Sequence, residues 1–201
     1  MNASLQLIDT GPSGPHGYHS RERWARCAQL GAYHDLLHVW GTTEPGDARR
    51  EDRLRRSHAL AIGTLGHIGL AHHYALMKDR QQGRTPVRWL APADAVRAFA
   101  RRQWLEDYVP EMMPALEMYP RHYAAEESSL EIIAVEKVLS TVIAGRPFTQ
   151  RADLAVKPRG QELIAIFDHK WISRCSNKWA RQYANDGQFL GYKVLGAEAW
   201  G

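Results

Sequence analysis

The apolar positions of this chain change period once. Up to about residue 128 they recur at helical spacing, and after Ser129 they alternate or run together as strands do. Trp24, Cys27, Leu30 and Tyr33 predict a helix through RERWARCAQLGAYHDLL, capped by Ser20, and GTTEPGD ends it. Residues 48–79 read as one long helix, basic in its first half and apolar in its second. QQGRTP is a loop, and APAD opens a third helix from Pro92 to Val109. The three prolines of PEMMPALEMYPRHYAAEESS predict an irregular or broken helix. LEIIAVEKVLSTVI and TQRADLAVK then predict strands, PRGQ a turn, and ELIAIFDHK a third strand. The last segment, NKWARQYANDGQFLGYKVLGAEAW, reads as a helix, with Asp186 as its N-cap candidate. Helices, then a β-meander, then a helix describe a mixed α/β (α+β) protein. We expect one domain over residues 1–201, with a helical lead-in at 1–56 and the core at 57–201.

Composition narrows the class. At 201 residues, with 44% apolar and 24% charged residues, the chain suits a soluble globular protein with a sizeable core. Its beginning, MNASLQLIDTGPSG, has neither a basic n-region nor an apolar h-region, so a cytoplasmic protein without membrane contact is expected. Cys27 and Cys175 lack CxxC spacing, which excludes a disulfide framework or a four-cysteine metal site built from this chain. The net charge of +4 suits a polyanionic partner.

The chemistry concentrates where the third strand ends, in IFDHKWIS. A tight turn centred on Arg159 and Gly160 sets Asp153 opposite Ile166, so Asp153, Asp168 and Lys170 project from one face. A four-residue loop keeps that parity, and a three-residue loop would split the set. Two carboxylates on one face repel unless a cation lies between them, and Mg²⁺ or Mn²⁺ is the usual solution. A lysine two residues on can hold a water and stabilise charge on phosphorus. Glu136, in the strand-like EIIAVEKVL, could reach this cluster. His67, after the glycines of GTLGHIGLAHHY, could meet it from the helical side. Gln188 and Tyr192 are four apart on one helix face.

In this order, His67, Glu136, RAD with Asp153, IFDHK with Asp168 and Lys170, and QFLGY with Gln188 and Tyr192 resemble the PD-(D/E)XK nuclease superfamily. The likeness is to its RecB-like branch, which includes CRISPR adaptation nucleases and phage exonucleases, and it covers roughly residues 58–200. The resemblance implies a restriction-endonuclease-like core of helix, three-stranded meander and helix. It implies an Mg²⁺ or Mn²⁺ ion held by His67, Asp153, Asp168 and the His169 carbonyl, with Lys170 catalytic and Glu136 in the outer shell or at a second metal. Gln188 and Tyr192 would orient the lysine region and the DNA strand. Two departures stand out: Trp171 replaces the small hydroxyl residue usual after the lysine, and the family's further strand after the last helix does not follow before Gly201. Cys27 lies where iron–sulfur members have a first cluster cysteine, and its three partners are missing.

For the nucleic acid, ARREDRLRR offers Arg53 and Arg56 at the start of the metal-bearing helix. Arg174, Lys178 and Arg181 form a second strip, with Trp171 and Trp179 available to stack on bases. The expected activity is metal-dependent hydrolysis of DNA phosphodiesters, as an exonuclease or end-processing enzyme in recombination, repair or phage DNA metabolism. Its substrate would be single strands or duplex ends, and a homo-oligomer or recombination partner stays open. The alternatives are a non-catalytic nucleic-acid-binding protein on the same fold, and a metal-binding protein built on His67, His72 and His73.

Overall fold

The structure is a computed structural model that describes residues 58–85, 89–171 and 187–201. The expected Ser20 helix, residues 48–57, Cys27, Cys175, Arg53, Arg56, Arg174, Lys178, Trp179, Arg181 and Asp186 lie outside these residues. The described chain runs α1 (His58–Gln81), α2 (Pro92–Gln103), a 3-10 turn (Glu106–Tyr108), α3 (Val109–His122), α4 (Ala124–Ser128), β1 (Leu130–Ile143), β2 (Arg146–Pro158), β3 (Ala165–Phe167) and α5 (Gly187–Trp200). Among the described residues the protein is mixed α/β, with a three-stranded sheet ordered β1-β2-β3. Among the described residues no helix is long and apolar enough to cross a membrane.

The chain divides into two compact units. The first holds α1 to α4, β1 as far as Lys137, β2 from Asp153, and β3. Its axis is α1, which buries residues on most of its sides: Ala61, Leu65 and Ile68 toward α2 and α3, Leu70 and Tyr74 toward the sheet. One hydrophobic cluster joins them to Val96, Leu105, Met112 and Leu116, and another joins Leu70 and Tyr74 to Ile132, Leu154 and Val156. Gln81, at the end of α1, donates to the Leu130 carbonyl (2.8 Å) and accepts from the Ile132 N–H (2.9 Å), which docks the start of β1 on the helix. Gly69 lets α3 come close, because a Cβ there would overlap the Leu116 side chain.

Three expectations are corrected here. The helix expected to reach Val109 stops at Gln103, because Trp104 takes a left-handed conformation (φ 58°) and the next residue, Leu105, is wholly buried. The proline-rich stretch forms a continuous helix at Val109–His122. Pro110 sits in the first turn, where no N–H partner is lost. Pro114 and Pro120 are carried inside the helix because burial of Met112 and Leu116 outweighs the missing bonds. The strand expected over residues 162–170 pairs only at Ala165–Phe167. Its next backbone donor, the His169 N–H, goes instead to the Asp153 carboxylate.

β1 and β2 are joined by only Ala144 and Gly145, so they run antiparallel. Both connecting residues have positive φ, 49° and 73°, as a type I′ turn requires. Ala144 is a poor residue for that conformation. Ala144→Asn should raise unfolding stability by roughly 0.5–1 kcal/mol, read by urea denaturation.

The second unit holds Val138–Ala152 and α5. Gly191 of α5 lies against Phe148 and Gln150, where a Cβ would crowd both side chains.

Candidate metal centre

β2 and β3 pair in antiparallel register with Leu154 opposite Phe167, Ala155 opposite Ile166 and Val156 opposite Ala165. This is two residues away from the expected pairing of Asp153 with Ile166. It corresponds to the four-residue loop, closed by the Gln161 N–H on the Pro158 carbonyl (3.1 Å) with Gly160 at φ 78°. A shift of two preserves the facing of every side chain. Continued by one pair, the register sets Asp153 level with Asp168.

Asp153 is the hub. Its Oδ2 accepts the His169 N–H at 2.7 Å and lies 3.4 Å from His67 Nδ1 and 3.8 Å from His169 Nδ1. Glu136 completes the group: one ligand atom each from His67, Glu136 and Asp153 lies within 4.8 Å of the others. Lys170 Nζ stands 2.6 Å from Asp168 Oδ2, and the Asp168 side chain is only 3% exposed. Glu136, expected in the outer shell or at a second metal, is thus grouped with His67 and Asp153, whereas Asp168 is engaged by the lysine.

Glu136 reaches this position through its backbone. It has φ 48° in the middle of β1, a left-handed conformation that costs of order 1–3 kcal/mol for a residue other than glycine. The burial of β1 changes phase there: Ile132 and Ala134 are buried before it and Leu139 after it. One residue out of the pleat produces such a switch, as in a bulge.

Burial is the largest influence on Asp153 and raises its pKa. Asp168 adds to the rise, while His67, the His169 N–H and Lys170 oppose it. Such a carboxylate gains from a nearby cation. The donor set of one imidazole and two carboxylates fits a divalent ion, and fits Mn²⁺ better than the strictly oxygen-seeking Mg²⁺.

His169 stacks on Tyr74 with ring centroids 5.7 Å apart, and burial pushes its pKa down to about 4, with His67 and His73 also lowering it. Tyr74 shares a hydroxyl hydrogen bond with Tyr119 (2.8 Å), and His73 Nε2 meets the buried Glu127 at 2.8 Å. Of these, Tyr74, Tyr119 and Glu127 escaped the sequence reading. The available signal was spacing, since Tyr74 follows His67 by seven positions, two helical turns. His72 Nδ1 bonds the Leu90 carbonyl (3.0 Å), and burial lowers its pKa. His67, His72 and His73 therefore have three separate sets of partners, which overturns the histidine-only metal site.

The depressed imidazoles give a pH prediction. Unfolded histidine titrates near 6.5, so between about pH 4 and 6.5 the unfolded chain binds the His169 proton more tightly than the folded protein does. Stability should fall as pH falls through that window, by roughly 1.5 kcal/mol between about pH 6.5 and 5 for this residue alone. His169→Gln should flatten the dependence in urea denaturation at the two pH values.

In the second unit, Tyr192 and Gln188 are buried. Tyr192 donates its hydroxyl proton to the Arg151 carbonyl (2.7 Å) and accepts from Gln188 Nε2 (3.1 Å). The Gln188 carbonyl accepts from Gln150 Nε2 at 2.8 Å. The pair thus fastens β2 two residues before Asp153 on the same strand.

Trp171, expected to stack on bases, packs inside the first unit against both hydrophobic clusters. No family model, curated protein or solved structure matches the chain.

Proposed function

We propose that this chain is a metal-dependent deoxyribonuclease on a PD-(D/E)XK-type core, hydrolysing phosphodiester bonds at single-stranded or duplex ends. The observation that carries the reading is the convergence of His67, Glu136 and Asp153 from α1, β1 and β2 to within 4.8 Å, beside the Asp168–Lys170 pair. Three ligands, one imidazole and two carboxylates, brought together from three elements, one of them through a strained backbone, are hard to explain as a solvated rim.

His67, Glu136 and Asp153 would hold the ion, with Asp168 in reach of the same charge. A bound Mn²⁺ or Mg²⁺ supplies polarisation of the phosphate and a more acidic water. Lys170, oriented by Asp168 at 2.6 Å, donates hydrogen bonds to the attacking water or to a phosphate oxygen as charge builds on it. The His169 ring, neutral near pH 7, packs on Tyr74, and the His169 backbone N–H donates to Asp153, which fixes the carboxylate's orientation. The Tyr192 and Gln188 bonds restrain β2 ahead of Asp153.

The test is incubation of end-labelled single- and double-stranded DNA with Mn²⁺, Mg²⁺ or EDTA, alongside Asp168→Ala and Lys170→Ala. Cleavage should need the divalent ion and vanish in both variants. Lys170→Ala should still bind DNA. Identical behaviour of wild type and both variants would remove the nuclease reading.

A further inference from the structure

We propose that Trp171 is a positioning residue for this metal centre: its indole, seated on Gly66, sets the spacing between the helix turn that carries His67 and the segment that carries Asp168 and Lys170. This rests on the metal reading above and names what holds its two sides in place. The contact joins immediate neighbours of both sides, since Gly66 directly precedes His67 and Trp171 directly follows Lys170. There is no slack in it, because a Cβ at Gly66 would fall within the indole ring. The ring is also anchored broadly. Trp171 packs against the helical cluster of Leu65 and Met112 and against the helix–sheet cluster of Leu70 and Leu154.

Its Nε1 is buried without a hydrogen-bond partner among the described residues, so shape rather than hydrogen bonding holds the ring here. A large rigid ring against a glycine is a stop that fixes distance in one direction, while the two clusters prevent retreat in the other. Ligand atoms must be held to within about 0.5 Å for tight coordination, and a wedge one residue from each side can impose that.

The experiment measures Mn²⁺ affinity by isothermal titration calorimetry on the full chain, with circular dichroism to confirm folding. It compares wild type, Gly66→Ala, Trp171→Leu, Trp171→Phe and the double variant Gly66→Ala/Trp171→Leu. Gly66→Ala should weaken Mn²⁺ binding by roughly 10–100-fold, as loss of a supporting contact does at metal sites. Trp171→Leu should fall in the same range and Trp171→Phe between it and wild type. The double variant should be no weaker than Trp171→Leu, since the added methyl then meets no indole.

A residue that only stabilises the fold would lower the melting temperature and leave the affinity of the folded protein unchanged. That result, or losses in the double variant equal to the product of the single losses, overturns the proposal while leaving the metal reading intact. Absence of Mn²⁺ binding by wild type overturns the metal reading, and the positioning role with it. If Gly66→Ala does not fold, the same comparison is decided by the Trp171→Leu and Trp171→Phe affinities.

Discussion

Asp153→Asn should abolish metal-dependent cleavage, with a loss on the order of 10³-fold or more, and should make the metal-free protein more stable. The first effect follows from position: Asp153 Oδ2 lies between His67 and the His169 N–H, and an Asp153 carboxylate oxygen lies within 4.8 Å of a Glu136 ligand atom. A neutral amide can keep the hydrogen bond to His169 but gives up the charge that holds the ion. The second effect follows from the direction of the pKa. A carboxyl whose folded pKa lies above its unfolded value favours folding while protonated, and that contribution is lost as pH rises through the folded value. At neutral pH the buried charge therefore opposes folding, and the isosteric amide removes it, for a gain of about 1 kcal/mol. Mn²⁺ at about a hundred times its dissociation constant should reverse the ranking, adding roughly 2.7 kcal/mol to wild type and nothing to the variant. Thermal unfolding with and without Mn²⁺, beside the cleavage assay, checks both halves. A variant that is less stable without metal, or that still cuts, contradicts this assignment.

Leu154→Ala is the largest stability loss we expect. Leu154 is fully buried beside Asp153 in the middle strand, against Leu70, Tyr74 and Ile132. Truncation removes the transfer energy of its side chain and leaves a cavity that two strands and a helix cannot collapse to fill. The cost should be about 3–4 kcal/mol, or a drop of roughly 10 °C in melting temperature for a chain of this size. Denaturation by guanidinium, with an unchanged m-value, would separate this loss from a change in the unfolded state.

Much of the sheet was legible because strand facing repeats every two residues. The expected pairing missed the observed register by two, and a shift of two leaves the parity on which the expected facing of Asp153, Asp168 and Lys170 rests unchanged. The placing of Glu136 was less legible. EIIAVEKVL reads as a strand-like run, and only the odd spacing from Ala134 to Leu139 among its buried residues betrays the left-handed residue between them. The Trp104 stop carried no glycine to announce it, and the prolines of α3 pointed away from the helix that buried Met112 and Leu116 impose. Trp171 was conspicuous in the sequence as a bulky residue after the lysine. Its partner could not be read, because a glycine meeting an aromatic ring across 105 positions leaves no local pattern.

The most direct measurement of the central claim is an anomalous difference map from crystals soaked in Mn²⁺, collected at the manganese edge. A single strong peak bonded to His67, Glu136 and Asp153, and absent in Asp153→Asn crystals, is the predicted result. No peak at millimolar Mn²⁺ with those three side chains ordered, or a peak bonded elsewhere, would contradict the account.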